Sequence, residues 1–167
     1  PIEVGLIQSD VTIFFGRKEV GVGATEELFS ALRYPACSSR YYEKMELSDK
    51  RNFQKASLVF ESYRPTIWSD WFRQYEVPFT DIERQKSIVL DIQSAAKQAI
   101  LFDFGIAMLP KYAMEDERKK GTLYCFHDMP VLNDMRYHVC FQENSEKLPI
   151  IRQFIDFMKS TCHEDLL

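Results

Sequence analysis

One stretch, Ser87–Pro110, limits the possible folds more than any other part of the chain. Ser87-Ile-Val-Leu90 is a short β-branched run of strand type. Asp91 follows, with the short oxygen-bearing side chain that caps helices. Ile92, Ala95, Ala96, Ala99 and Ile100 then recur at helical spacing and make one apolar face. Gly105 stops the helix, and Ile106-Ala-Met-Leu109 forms a second apolar run ended by Pro110. A strand, a helix and a strand in succession imply two parallel strands, because the helix carries the chain back to the edge where it started. Units of this kind build α/β sheets.

The flanking segments fit that frame. Asp10-Val-Thr-Ile-Phe-Phe15, closed by Gly16, reads as a buried strand ending at a turn. Ala24–Ser39 supports two readings, since Leu28, Ala31 and Leu32 suit a helical stripe while Tyr34-Pro-Ala-Cys37 suits extended chain. A polar stretch from Glu43 to Lys55 precedes a short strand at Ser57–Phe60, and Trp68, Trp71 and Phe72 follow Pro65 and Thr66 at helical spacing. Two further strands, Gly121–Phe126 and Arg136–Phe141, flank a loop holding Met129-Pro130. A last helix runs from Leu148 to Ser160, with Ile150, Ile151, Phe154, Ile155 and Met158 as its apolar stripe.

Composition excludes several function classes. With 46% hydrophobic and 14% aromatic residues, 167 residues bury enough apolar surface for one domain or two small lobes, so disorder is not expected. The net charge of -4 comes from interleaved acids and bases, which leaves no face built to neutralise a phosphate backbone. Cys37, Cys125, Cys140 and Cys162 lack any CxxC spacing, and a reducing cytoplasm is the simpler setting. No apolar run approaches the roughly 20 residues of a membrane helix, and no basic-then-apolar stretch of the kind that marks secretion stands in the sequence, so export is not expected. The chain opens on Pro1 without a start methionine, and a missing upstream part is expected.

Cys125-Phe-His127 and His138-Val-Cys140 each put two soft ligands on one strand face, and antiparallel pairing of the two strands would assemble a Cys2His2 site. The one-residue spacing is not the usual zinc knuckle, so core or surface roles are expected and no metal. Nothing resembles a nucleophile elbow, a metalloprotease helix or a phosphate-binding glycine loop, and Gly21-Val-Gly23 lacks the third glycine. No enzyme and no cofactor are expected. Nothing near Cys37 or Cys140 lowers a thiol pKa toward redox use.

Taken in order, these segments resemble the effector-binding domain of LysR-type transcriptional regulators, in the branch that includes glycine-cleavage and β-lactamase regulators. The residues that carry the resemblance are Asp10–Gly16, Tyr34-Pro-Ala-Cys-Ser-Ser39 and Trp68-Ser-Asp-Trp-Phe72. Strongest is Asp91-Ile-Gln-Ser-Ala-Ala96 followed by Phe104-Gly-Ile-Ala-Met-Leu-Pro110. The resemblance implies an α/β, two-lobed periplasmic-binding-protein-like domain with an interlobe cleft, its first lobe incomplete at the N-terminus. Residues 1–20 and 130–167 would form lobe one and residues 21–129 lobe two, with crossings near Gly16–Val22 and His127–Asn133. Ala24–Ser39 becomes largely extended in this scheme.

A cleft of that kind gathers strand ends and helix N-termini, whose N–H groups favour an anionic or zwitterionic effector. Cys37, Ser38 and Ser39 offer hydroxyl and backbone donors from one side, and Gln93 and Ser94, in the first turn after Asp91, from the other. Phe15, Gly16, Trp68 and Phe104 complete the expected wall. The plainer uses are Asp91 as a helix cap, the serines as a turn and the aromatics as core. The resemblance further implies a cytoplasmic homo-oligomer, dimer or tetramer, with no membrane contact. DNA would be reached only through a helix-turn-helix domain absent from this chain. The alternative is a solute-binding protein of a transport system, which shares the architecture.

Overall fold

The computed structural model describes residues 9–16, 23–30, 32–77, 87–132 and 136–163. The chain divides into two compact units: Pro1–Ala31 with Asn133–Leu167, and the continuous segment Leu32–Leu132. The first unit reaches further than residue 20, because β2 (Ala24–Ser30) hydrogen-bonds to β8 (Arg136–Phe141) in the register Ala24 to Phe141. Backbone pairing therefore keeps residues 24–30 with the N-terminal strand, and the divisions fall at Ala31/Leu32 and Leu132/Asn133.

In the first unit β8 lies between β1 (Val11–Gly16) and β2, antiparallel to both. One face of this sheet is apolar: Leu28, Val139 and Phe141 pack with Ile151 and Ile155 of the C-terminal helix, Leu148–His163. Arg152 and Lys159 of that helix both reach Glu26 of β2, which fastens helix to strand across the packed face. Ile151 and Ile155 are buried, while Ile150 and Phe157 of the expected apolar stripe and its flank are exposed.

The second unit is built on a mixed sheet with the strand order β5-β4-β6-β3-β7 among the described residues. Here β3 is Tyr34–Ser38, β4 Leu58–Glu61, β5 Ile88–Leu90, β6 Ile106–Leu109 and β7 Leu123–Cys125. β5 and β6 both run parallel to β4, which lies between them, so the strand-helix-strand unit read from the sequence straddles a third strand. β3 runs antiparallel to β6 and to β7. Within Ala24–Ser39 the segments Ala24–Ser30 and Tyr34–Ser38 are extended, as two strands belonging to different units.

β4 and β6 are buried on both faces, as the apolar runs Leu58–Phe60 and Ile106–Leu109 require. The period of two sends Leu58, Phe60, Ile106 and Met108 to one side, where Phe53 and Trp68, Trp71 and Phe72 of α2 (Ile67–Gln74) pack. Val59, Ala107 and Leu109 go to the other side, against Ala96 and Ile100 of α3 (Gln93–Leu101). The result is an α/β layering with helices on both faces of one sheet.

Two backbone details refine the sequence reading of this unit. The turn after α3 is made by Asp103, at φ 63, rather than by Gly105. Gly105, at φ 146, is required for another reason: a Cβ there would lie 2.1 Å from the carbonyl oxygen of Ser57. That carbonyl accepts a hydrogen bond from the Ile106 N–H at 2.9 Å, so the two chains must approach closely for β6 to start beside β4.

Candidate functional site

Parallel strands and the helices that follow them bring a specific edge of a sheet into use, the edge at the strands' carboxyl ends. In the second unit that edge carries Glu61 at the end of β4, Leu109 at the end of β6 and the N-terminus of α3 after β5. Because β3 is antiparallel to β6, with Tyr34 opposite Leu109, it is the start of β3 that meets this edge. Arg33, one residue before Tyr34, therefore lies there.

Arg33 and Glu61 are buried, with side-chain exposures of 6% and 4%. Charged groups are withdrawn from water to this degree only when paired. Nη1 of Arg33 donates to Glu61 Oε1 at 2.9 Å, to Glu61 Oε2 at 2.7 Å and to the Met108 carbonyl at 3.0 Å. Nη2 points to a second set of partners, the Tyr63 hydroxyl at 3.2 Å and Gln93 Oε1 at 3.3 Å. Burial and the neighbouring Glu61 carboxylate push the Tyr63 phenol above its ordinary pKa, against the pull of Arg33, so it stays protonated at neutral pH.

The backbone of Arg33 is also fixed, forming an antiparallel bridge with Val131, whose N–H donates to the Arg33 carbonyl at 2.8 Å. α2 holds the segment next to that bridge: Gln74 donates to the Pro130 carbonyl and accepts from the Leu132 N–H, each at 2.9 Å. The points at which the chain enters and leaves the second unit are thus side by side at the carboxyl edge, next to the Arg33 cluster.

The residues singled out in the sequence are distributed over four places. Asp91, Gln93 and Ser94 sit at the carboxyl edge. The cap expected at Asp91 is not formed: Ile92, in extended backbone, is the N-cap of α3 and no side chain caps it. The extended chain runs one residue past Asp91, and isoleucine has no acceptor, so the first-turn N–H groups of α3 have no side-chain partner at that position.

Ser38, Ser39, Cys37 and Phe104 gather at the other edge of the same sheet, since five extended residues from Arg33 to Ser38 span roughly 16 Å. Ser38 caps α1 (Ser39–Lys44), accepting from the Tyr41 N–H at 2.9 Å, and donates to Asp103. That hydroxyl, with Arg40 alongside, holds the Asp103 carboxyl below its ordinary range. Ser39 donates to the Gly121 carbonyl at 2.8 Å. Cys37 is fully buried, and burial together with the Asp103 and Cys125 charges pushes its thiol up to about 12. Phe104 is exposed.

Trp68 is fully buried in the core, its indole N–H donating to the Val59 carbonyl at 3.0 Å. Phe15 and Gly16 belong to the first unit, where the Phe15 ring lies 5.1 Å from that of Tyr137 and the Gly16 carbonyl is 3.2 Å from His138 Nε2. The two strands weighed as a metal-binding pair are in different sheets, β7 pairing with β3 and β8 with β1 and β2, so the pairing that such a site needs is not formed.

Arg33, Glu61 and Tyr63 were missed in the sequence. A signal for them exists: Arg33 stands just before an apolar strand and Glu61 closes the Leu58-Val-Phe run, so opposite charges abut segments that are otherwise buried. No described helix is long and apolar enough to cross a membrane.

Known proteins place this chain in a family. Residues 8–163 match the family model of the LysR substrate binding domain. The glycine cleavage system transcriptional activator of Escherichia coli strain K12 is 26% identical over 150 residues, covering 87% of this chain and 48% of the relative. The chain thus spans about half the length of the curated relatives it matches. Among solved structures, the AmpR effector binding domain from Citrobacter freundii superposes with a TM-score of 0.74 at 20% identity, over 93% of this chain and 75% of that one. Full-length LysG from Corynebacterium glutamicum, with bound effector Arg, gives a TM-score of 0.70 at 12% identity, over 88% of this chain and 50% of that one. These structures share the α/β fold described above, and each relative named is a regulator rather than an enzyme or a transport component. The chain belongs to the LysR substrate-binding domain family.

Proposed function

We propose that this chain is the small-molecule-sensing part of a transcriptional regulator, working without catalysis. The observation that carries the reading is the buried Arg33–Glu61 pair at the carboxyl edge of the second unit, ringed by Tyr63 and Gln93. A buried, multiply hydrogen-bonded ion pair at the edge where α/β proteins take ligands supplies charge and hydrogen-bonding groups of both signs. An anionic or zwitterionic effector suits it, with Gln93 and Ser94 in the uncapped first turn of α3 as further donors. The amino-acid effector named for the LysG structure has this character.

In this reading effector binding shifts a conformational equilibrium, and subunit contacts of a homo-oligomer carry the shift to a helix-turn-helix part outside these 167 residues. The protein works in the cytoplasm, where both DNA and metabolites are within reach. A thermal-shift screen over amino acids, aromatic acids and peptidoglycan fragments tests it. A ligand that binds only the folded state at 100 times its Kd adds about 2.7 kcal/mol of stability, enough for a clear rise in melting temperature. A screen in which no compound raises the melting temperature would count against sensing. Light scattering of the chain checks the oligomer, and a strict monomer at high concentration would remove subunit contacts from the mechanism.

A further inference from the structure

We infer that Arg33 Nη2 is the anion-contact point of the second unit, where a monocarboxylate ligand takes the place of Tyr63 and Gln93. This rests on the sensing reading above and adds the chemistry that selects the ligand. The two ends of the guanidinium are held differently. Nη1 is committed to a carboxylate and a strand carbonyl at 2.7 to 3.0 Å, all on buried residues. Among the described residues Nη2 has only neutral acceptors, at 3.2 and 3.3 Å, on side chains that are exposed for Tyr63 and half-buried for Gln93. The Nη2 side is therefore the one whose partners reach solvent, and the weaker one.

Exchanging two neutral acceptors for a carboxylate is favourable because a charge-assisted hydrogen bond is about twice as strong as a neutral one. Tyr63 remains a neutral phenol at neutral pH, so it does not compete as an anion for Nη2. When Gln93 is displaced, rotation of its amide presents Nε2 as a donor to the incoming oxygen. Glu61 sets the charge limit. It already neutralises Arg33, so one added negative charge faces only the partial positive end of α3, and a dianion is left uncompensated.

The test is a titration of the 167-residue chain with sodium acetate, followed by NMR at the Arg33 Nε–H and the Gln93 side-chain amide. Sodium chloride and sodium sulfate at equal ionic strength serve as comparisons. Acetate is expected to move both signals saturably, while chloride and sulfate produce only a linear drift. Gln93→Glu puts a carboxylate of the chain itself against Nη2, leaves the Arg33–Glu61 pair intact and identifies the Arg33 signal by displacing it. In that variant acetate affinity should fall about tenfold or more, the worth of one hydrogen bond to a charged group. A drift with acetate no different from chloride, a saturable response confined to other residues, or an equal response to sulfate would each overturn the inference. None of these outcomes touches the sensing reading, which fails separately if the thermal-shift screen is empty.

Discussion

Arg33 and Glu61 make the sharpest statement about stability at the level of single residues. Deleting one partner of a buried ion pair strands the other charge in a poor solvent for it, at a cost of about 3–5 kcal/mol. Glu61→Gln keeps the shape and removes the charge, and its urea unfolding free energy is expected to fall by about 3 kcal/mol. The double replacement Arg33→Met with Glu61→Leu should lose less than the sum of the single changes, because it leaves no unpaired charge. A Glu61→Gln protein within about 0.5 kcal/mol of the parent would mean that the pair is far better hydrated than its burial indicates. Cys37 makes a pH-dependent counterpart. Its thiol is raised from an ordinary value near 9 to about 12, chiefly by burial. From pH 9 upward the unfolded chain releases a proton that the folded chain retains, so stability is whole below pH 9 and declines toward pH 12. The same shift protects the thiol. In a Cys162→Ser background, a thiol reagent at pH 8 should label Cys37 only as fast as the protein opens, and urea should accelerate it. Prompt labelling of Cys37 in the native state would contradict its burial.

Among the elements, β6 depends on a single contact that no side chain tolerates. Gly105→Ala sets a methyl against the Ser57 carbonyl oxygen at 2.1 Å and imposes a φ of 146 on an L-residue, so β6 cannot start beside β4. A loss of about 3 kcal/mol or more is expected, against about 1 kcal/mol for Gly121→Ala, whose Cβ meets nothing within 4 Å and which carries only the backbone strain of a φ of 69. Equal melting temperatures for the two variants would refute the close approach. The elements differ in how far their sequence announces them. The Ser87–Pro110 unit was legible because its periods are local: a short apolar run, a helical stripe, a second apolar run. The extended character of Tyr34–Ser38 was legible only through the family resemblance, since Ala24–Ser39 taken by itself also suits a helical stripe. Its direction against β6 was not, since an antiparallel pairing between residues some seventy positions apart leaves no trace in either segment. That one unknown decides the site. A strand running the other way would have brought Ser38 and Ser39 to the edge where Gln93 lies; as folded, it brings Arg33. Similarly, Asp91 has the chemistry of a cap, but where an extended chain gives way to helix depends on pairing with β4, and the cap position passed to Ile92.

At the scale of the whole molecule, the two units differ in how they are assembled from the chain. The first draws its core from both ends: Leu28 comes from one end, and Val139, Phe141, Ile151 and Ile155 from the other. Neither end alone can close that core. The second unit is continuous, and both apolar layers around its sheet, from Phe53 and Trp71 on one side to Ile100 and Leu109 on the other, lie between Leu32 and Leu132. Its Arg33 bridge to Val131 even ties its two ends together without help from the first unit. A continuous segment with its own core and joined ends meets the requirements of an independent domain. Residues 32–132 expressed alone are therefore expected to melt in one cooperative transition, seen by circular dichroism. Arg33, Glu61, Tyr63 and Gln93 all remain within that segment, so a saturable acetate response found in the full chain should persist in it at similar affinity. A segment that folds cooperatively yet has lost the response would show that the first unit supplies part of the anion contact, and a segment that melts without cooperativity would show that the sheet needs the first unit to stand.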